Sequence, residues 1–385
     1  MTRVLQVIDG LRIGGAEIAL LGLLELTDHD RFPSYVASVG PADPEFVERV
    51  RAVSRGVFVV TGRALWDPRP VLALVSIIRR ERIDLVQTHL AGADVQGGLA
   101  AWLTGRPTVS VLQSVAEDRA GYSRPRRIIA DFATRHLADR FVAVSEAVKE
   151  SHVAELGIAP DRFSVLPNIP VRAFLLGDRF DPTHKRRELG INDSPMISVA
   201  SRLAQPKDHE TFLRSLPAVV EAHPRLRAFI LGDGPLRDHL VSLCRDLGLG
   251  DNVVFAGARL DALEIIGASD VFCHPTLYEG FPLAPAEAMA MAVPVVATGV
   301  SGVLELIDDG RTGILVPPQD PVALARALDE LLADPQRRHL LGHEAQESIR
   351  LRLDPNAWIR AVEQVYVQAV AQPRGRRRRF NRRAS

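Results

Sequence analysis

Two doubly wound α/β domains, Rossmann-like and facing a central cleft, are the fold that this 385-residue chain predicts. Three observations carry the prediction. Short runs rich in Val, Ile and Leu alternate with helical stretches along almost the whole chain. The runs are apolar throughout, so both strand faces should be covered, as in a parallel sheet sandwiched by helices. The same scheme then occurs a second time, and the length suits two domains.

In the first half the expected strands are "RVLQVID" (3–9), "YVASVG" (35–40), "VFVV" (57–60), "LVQTH" (85–89), "TVSVLQ" (108–113), "RFVAVS" (140–145) and "FSVLP" (163–167). Helical patterns such as Ala16–Leu26, Pro70–Arg82 and Asp94–Leu103 lie between them. The second half gives "MISVAS" (196–201), "RAFILGDG" (227–234), "NVVFAG" (252–257), "DVFCHP" (270–275), "VPVVAT" (293–298) and "GILVP" (313–317), with helices such as His209–His223 and Pro235–Leu247. The segment 171–194 breaks the rhythm and reads as a linker. The expected organisation is therefore a domain at 1–170, a linker at 171–194 and a second domain at 195–355. A helix at 356–371 would pack back on the first domain, and a disordered tail would follow at 372–385. Ligands of such sheets bind beyond the carboxyl ends of the strands.

Composition is that of an ordinary soluble protein, 46% hydrophobic and 24% charged. No uncharged apolar run reaches the length of a transmembrane helix. "MTRVLQVIDG" passes directly into a strand pattern and lacks the features of a secretory signal. The two cysteines, Cys244 and Cys273, are far apart in apolar surroundings, which predicts a reducing compartment and hence the cytoplasm. The net charge of zero conceals an asymmetry: the tail carries seven arginines and no acid, leaving the rest of the chain at −7. "YSRPRRIIADFATRHLADR" (122–140) adds Arg124, Arg126 and Arg127 ahead of an amphipathic pattern. Together with the tail it makes an anionic membrane surface an expected partner, alongside the plainer reading of a solvated helix face. Nothing in the sequence suggests a nucleic-acid partner.

Three stretches carry chemistry, and a fourth only resembles a metal motif. In "IDGLRIGGAE" (8–17), Gly14 and Gly15 lie between the first strand and the first helix, where the backbone can approach a ligand and the helix start offers free N–H groups. The spacing does not make a dinucleotide fingerprint. In "SVASRLAQPKDHETF" (198–212), Arg202 and Lys207 follow a strand directly and suit a diphosphate, with a bidentate fork and a movable point charge. In "TLYEGFPLAPAEAMAMA" (276–292), Glu279 sits in a glycine loop and Glu287 is expected in the first helical turn with Pro285. A carboxylate there can accept from two vicinal hydroxyls. The amides of Gly280, Phe281 and Leu283 face the same space. Lastly, Asp28-His29-Asp30 is a D-x-D, the metal motif of another transferase class, but it follows a helix away from the strand ends and reads as a solvated turn.

These residues resemble the family 4 group of retaining glycosyltransferases with the GT-B fold. "EGFPLAPAE" matches its E-x7-E motif at Glu279 and Glu287, "GGAE" its glycine loop, and "ASRLAQPK" its phosphate-binding Arg and Lys. "AVSEAVKES" (143–151), "VLPNIP" (165–170) and "SGVLELIDDGRTGILVPPQD" (301–320) extend the likeness over about 3–355. The resemblance implies a nucleotide diphosphate sugar, UDP- or GDP-linked, as donor in the second domain, and a glycan or lipid-linked acceptor in the first. It implies ribose binding by Glu287, diphosphate binding by Arg202 and Lys207, and donor-sugar positioning by Glu279. Gly15 would approach the phosphates, and no metal or other cofactor is implied. The sequence departs from the family where many relatives carry a histidine after the fifth strand. Gln113 stands there, and His89 at the end of "LVQTH" is either its catalytic substitute or a structural strand-end residue. Two other classes fit the same features, a nucleotide-sugar epimerase of similar fold and a non-catalytic nucleotide-sugar-binding protein.

Overall fold

The computed structural model describes residues 1–62, 67–116 and 123–371, with the side chain of Asp178 left aside. Two compact units emerge. One joins Met1–Asn168 to the C-terminal helix Pro355–Ala371, and the other spans Ile169–Asp354. The arginine tail lies outside the described residues.

The first unit holds a seven-stranded parallel sheet: β1 (Val4–Ile8), β2 (Ser34–Ser38), β3 (Gly56–Val59), β4 (Leu85–His89), β5 (Thr108–Leu112), β6 (Arg140–Ala143) and β7 (Phe163–Val165), in the order β3-β2-β1-β4-β5-β6-β7. β1 pairs with both β2 and β4, so the strand order reverses between β1 and β4. Leu5, Val7 and Val86 are buried against Leu74, Ile77 and Ile78 of helix Pro68–Arg80, which accounts for the continuous apolar runs.

The C-terminal helix belongs to this unit through a buried polar network. Tyr366 is fully buried; its hydroxyl donates to Gln87 Oε1 and accepts from Gln6 Nε2 at 3.2 Å. Trp358 Nε1 donates to the Pro167 carbonyl at 2.7 Å, and Glu363 pairs with Arg31 at 3.1 Å.

The second unit repeats the plan with six parallel strands: β8 (Met196–Ala200), β9 (Arg227–Leu231), β10 (Val253–Gly257), β11 (Val271–His274), β12 (Val295–Thr298) and β13 (Ile314–Val316), in the order β10-β9-β8-β11-β12-β13. Both faces are covered. Ile197, Val199, Val271 and Cys273 meet Phe212, Leu216, Leu324 and Leu328 on one side. Met196, Phe272, Val295 and Ala297 meet Ile265, Ile266, Ala286, Met289 and Ile349 on the other.

The expected linker 171–194 is corrected here. It forms helices Val171–Leu176 and Pro182–Glu188, and both belong to the second unit. Ala173 and Ile191 are buried in its core, with Phe174, Leu176, Phe180 and Leu189 packed around them. The basic residues of this segment are also tied down. Lys185 Nζ meets Asp261 Oδ2 at 2.7 Å, and Arg186 donates to Asp270 Oδ2 at 3.2 Å and to the Ala268 carbonyl at 2.8 Å.

Candidate functional site

In an open parallel sheet the ligand crevice lies where the strand order reverses, outside the carboxyl ends of the two strands involved. In the second unit those strands are β8 and β11. The chain leaving β8 makes a short 3-10 turn at Gln205–Lys207, passes through Asp208 in a left-handed conformation (φ 44°) and enters helix His209–Ala222. The Asp208 carboxylate caps that helix by accepting from the Thr211 backbone N–H, and also accepts from Thr211 Oγ1 at 2.7 Å. A non-glycine residue held in the left-handed region is a strained feature that its surroundings must enforce.

The chain leaving β11 is tied to that turn. Leu277 N–H and Thr276 Oγ1 both donate to the Pro206 carbonyl, at 2.8 and 2.9 Å. Thr298, buried at the end of β12, donates to the Thr276 carbonyl. Two expected site residues consequently meet: Lys207 Nζ lies 2.5 Å from Glu279 Oε2. A third group is there that sequence reasoning missed, since His274 Nε2 approaches the same Oε2 at 3.1 Å. His209 is another, with Nε2 3.1 Å from Ser201 Oγ. The only signal for either was a histidine ending an apolar strand or opening a helix.

These groups are largely withdrawn from solvent; the side chains of Lys207, Glu279 and His274 are 23%, 14% and 4% exposed. Burial alone would raise the Glu279 pKa. Lys207, reinforced by His274, overrides it and holds the carboxyl at about 2. His209 is pushed down to about 3 by burial, with His274 and Lys207 adding to it, so the imidazole is neutral at physiological pH. The result is a fixed carboxylate and an ammonium with spare donors at the carboxyl end of a parallel sheet. Such a pair can bind an anion and a hydroxyl side by side.

Arg202 lies on the same loop, exposed, and makes no ion pair with this cluster among the described residues. Its backbone is nonetheless fixed. Leu203 N–H donates to the Asp233 carbonyl at 3.0 Å, and a Cβ on Gly234 would stand 2.3 Å from the Leu203 carbonyl oxygen. Beyond Glu279, buried Gly280 and half-buried Phe281 lead into helix Leu283–Ala290, whose first-turn N–H groups, that of Leu283 included, have no intrahelical partner. Glu287 is the fifth residue of this helix, not a first-turn residue as expected, so the helix-dipole role weakens. Its carboxyl makes no hydrogen bond among the described residues. Burial pushes its pKa up to about 7, opposed by Arg172 and reinforced by Glu264.

The remaining expected residues belong to the first unit. Gly14 caps helix Gly15–Leu26 in an extended conformation, and a Cβ built on Gly15 would meet nothing within 4 Å. Asp9, at the end of β1, accepts from Gly92 and Ala93 N–H at 3.1 and 2.6 Å; burial raises its pKa to about 6.

His89 ends β4 in the first unit. It is 3% exposed, and its Nε2 lies 2.9 Å from Gln6 Oε1. Tyr366 donates to Gln87 and accepts from Gln6, so the Gln6 oxygen remains for the His89 N–H. Burial lowers the His89 pKa to about 3. The side chain is the end of the network that seats the C-terminal helix, the arrangement of a structural strand-end residue. Gln113 instead accepts from Asn168 Nδ2 at 2.8 Å. The D-x-D is a turn as expected: Asp28 Oδ1 accepts from the Asp30 and Arg31 amides at 3.0 and 3.2 Å.

The chain matches two family models, Glycosyltransferase Family 4 over residues 13–169 and Glycosyl transferases group 1 over 181–348. It is 28% identical over 358 residues to an uncharacterized glycosyltransferase of Methanocaldococcus jannaschii, covering 88% of this chain and 90% of that one. It is 26% identical over 337 residues to the UDP-Gal:alpha-D-GlcNAc-diphosphoundecaprenol alpha-1,3-galactosyltransferase of Escherichia coli, covering 84% and 86%. The Anabaena HepE crystal structure with UDP and glucose superposes with a TM-score of 0.84 at 23% identity, over 96% of this chain and 100% of that one.

Proposed function

Because the chain belongs to the glycosyltransferases, matching the family 4 and group 1 models in succession and built on the GT-B fold, we propose that it transfers a sugar from a nucleotide diphosphate to a hydroxyl of a glycan or lipid-linked acceptor. The transfer retains anomeric configuration and needs no metal ion. The observation that carries this reading is the meeting of Lys207, Glu279 and His274 at the switch point of the second sheet. Lys207 and Arg202 neutralise the leaving diphosphate. Glu279 positions the donor sugar, the amides of Gly280, Phe281 and Leu283 line the same space, and Glu287 accepts from the ribose hydroxyls. In the first unit, which binds the acceptor, Gly14 and Gly15 leave backbone open to a ligand.

The E. coli relative, named for a UDP-sugar donor and a diphosphoundecaprenol-linked acceptor, supports that substrate class. A thermal-shift screen of UDP-, GDP- and ADP-sugars tests it first, because a bound donor raises the melting temperature by mass action. NMR of the product then reads the anomeric configuration, and EDTA should leave transfer unchanged. A new nucleotide sugar formed without acceptor would indicate an epimerase. Binding with no nucleotide release under any acceptor would indicate a non-catalytic binder.

Glu287 makes the donor site pH-sensitive. Its folded pKa is raised from 4.5 to about 7, so the protonated form dominates below that value. A carboxylate accepts from ribose hydroxyls better than the acid, and the donor diphosphate does not ionise near neutrality. Donor affinity is therefore expected to rise as pH increases through about 7, as calorimetry would record. The stability term has the opposite sign: the raised pKa favours the folded state below pH 4.5, and that contribution is lost as pH rises through about 7. Glu287→Gln should flatten both dependences. An unchanged pH profile in that variant would exclude Glu287 as the ribose ligand.

A membrane surface is the second part of the proposal. No described helix is long and apolar enough to cross a bilayer. Helix Arg124–Leu137 nevertheless presents Ile128 and Phe132, each 60% exposed and four residues apart, between exposed Arg124 and Arg135. That stripe suits the interface of an anionic leaflet, where apolar side chains insert and each Arg contributes ~1 kcal/mol. Flotation with phosphatidylglycerol-containing vesicles should recover the protein at low salt, less of it at high salt, and little of an Ile128→Asp/Phe132→Asp variant. Equal recovery of that variant would remove the stripe from the account.

A further inference from the structure

We infer that His274 is a positioning residue for the transfer reaction: its Nε2–H locks the Glu279 carboxylate in one rotational state and thereby decides which oxygen faces the donor. The inference rests on the transferase reading of the site and adds a residue to it. Its basis is geometric. Lys207 Nζ and His274 Nε2 converge on one atom, Glu279 Oε2, at 2.5 and 3.1 Å. A carboxylate oxygen has two lone-pair sites, so these two donors occupy Oε2 and leave Oε1 as the acceptor for substrate.

With Lys207 alone the carboxylate could rotate about its last bond and exchange its oxygens, because an ammonium is a point charge without directional preference. A ring N–H fixed in place removes that freedom. The ring itself is held. His274 ends β11, is 3% exposed, and stacks beside Phe272 with centroids 6.5 Å apart and planes at 19°. Glu279 accepts only, so the neutral imidazole must carry its proton on Nε2. Its Nδ1 then presents a lone pair, and among the described residues that atom is buried without a partner. Burial, with Lys207 nearby, keeps the ring neutral and outweighs the pull of Glu279. The same Lys207 retains donor capacity, since an ammonium offers three N–H groups and one is engaged here.

Three substitutions test this. The amide nitrogen of Gln reaches the position of Nε2, whereas that of Asn falls near Nδ1. Phe fills the volume of the ring and keeps its stacking but donates nothing. With the nucleotide sugar that the thermal-shift screen identifies, steady-state nucleotide release should fall ~10-fold or more in kcat for His274→Phe, the rate equivalent of a lost hydrogen bond to a charged group. The donor KM should stay within about threefold, because the contact orients a group without binding the diphosphate. His274→Asn should resemble His274→Phe, and His274→Gln should recover most of the loss. A purely structural histidine would lower the melting temperature in all three without a kcat loss that His274→Gln restores and His274→Asn does not.

Wild-type kcat in His274→Phe, or His274→Gln no better than His274→Asn, overturns the inference. Glu279→Gln in the same assay separates the two levels. If it turns over like the wild type, the transferase reading of this site fails. If it is impaired while His274→Phe is not, only the role of His274 falls.

Discussion

Lys207→Ala is expected to lower kcat by ~10²-fold or more, the effect of removing one preorganised donor from a developing oxyanion, ~3–4 kcal/mol. Lys207 has two tasks in the structure. It faces the position proposed for the leaving diphosphate, and it neutralises Glu279, whose side chain is 14% exposed. The alanine variant strands that carboxylate with His274 as its one remaining donor. Breaking a buried pair in this way costs ~3–5 kcal/mol, with the lower end expected because Lys207 is 23% exposed. Turnover and melting temperature should therefore fall together. The double variant Lys207→Met/Glu279→Leu separates them, since an apolar pair leaves no uncompensated charge. It should regain stability and remain inactive. Arg202→Ala supplies the contrast. That side chain is exposed and has no described partner here, so its loss should cost turnover of similar size with the melting temperature unmoved. Wild-type turnover in both Lys207→Ala and Arg202→Ala would sink the assignment of the diphosphate site.

Strand positions were legible because both faces of a parallel sheet are buried, which writes each strand as a continuous apolar run bounded by turns. β4 appears where "LVQTH" predicts it, and β8 to β13 each lie within one or two residues of the expected ends, apart from β9, which stops three residues short at Leu231. Lys207 and Glu279 were legible because charged residues directly after such runs fall at the carboxyl ends of strands, where parallel sheets keep their ligands.

What the sequence concealed depended on distant contacts. His89 ends a strand just as His274 does. One is consumed by Gln6 and the docking of Tyr366 from the far end of the chain, and the other meets Glu279 five residues on. No local pattern distinguishes these fates. The segment 171–194 was misread for a related reason. Its broken rhythm suggests a linker, yet Lys185 and Arg186 find Asp261 and Asp270 more than seventy residues away. Glu287 shifted by a turn because Pro285 can stand anywhere in the first turn of a helix, and here it is the third residue after Pro282.

Gly302→Ala should disable the enzyme from outside the reacting groups. Helix Ser301–Leu304 abuts the loop that carries Glu279, with Gly302 N–H donating to the Glu279 carbonyl at 3.2 Å. A Cβ at 302 would stand 2.5 Å from the Gly280 carbonyl oxygen and 2.6 Å from that of Glu279. Both obstacles are backbone, so no side chain can rotate out of the way. The loop must retreat by roughly 0.5–1 Å to reach ordinary contact, and overpacking of this kind costs ~1–3 kcal/mol. The catalytic penalty is the larger, because a shift of that size at a positioned group can cost ~10²-fold in rate. The retreat also pulls Glu279 from the two donors on its Oε2, which span only 2.5 and 3.1 Å. Donor affinity should change less than turnover, since Lys207 and Arg202 sit on the other loop. Gly299→Ala is the matched control: its Cβ would meet Leu304 Cδ2 at 3.7 Å, an ordinary contact, in the same connection after β12. Its kcat should stay near wild type while that of Gly302→Ala collapses. Equal rates in the two variants would mean that the Glu279 loop tolerates displacement, and that its fixed geometry does not control the reaction.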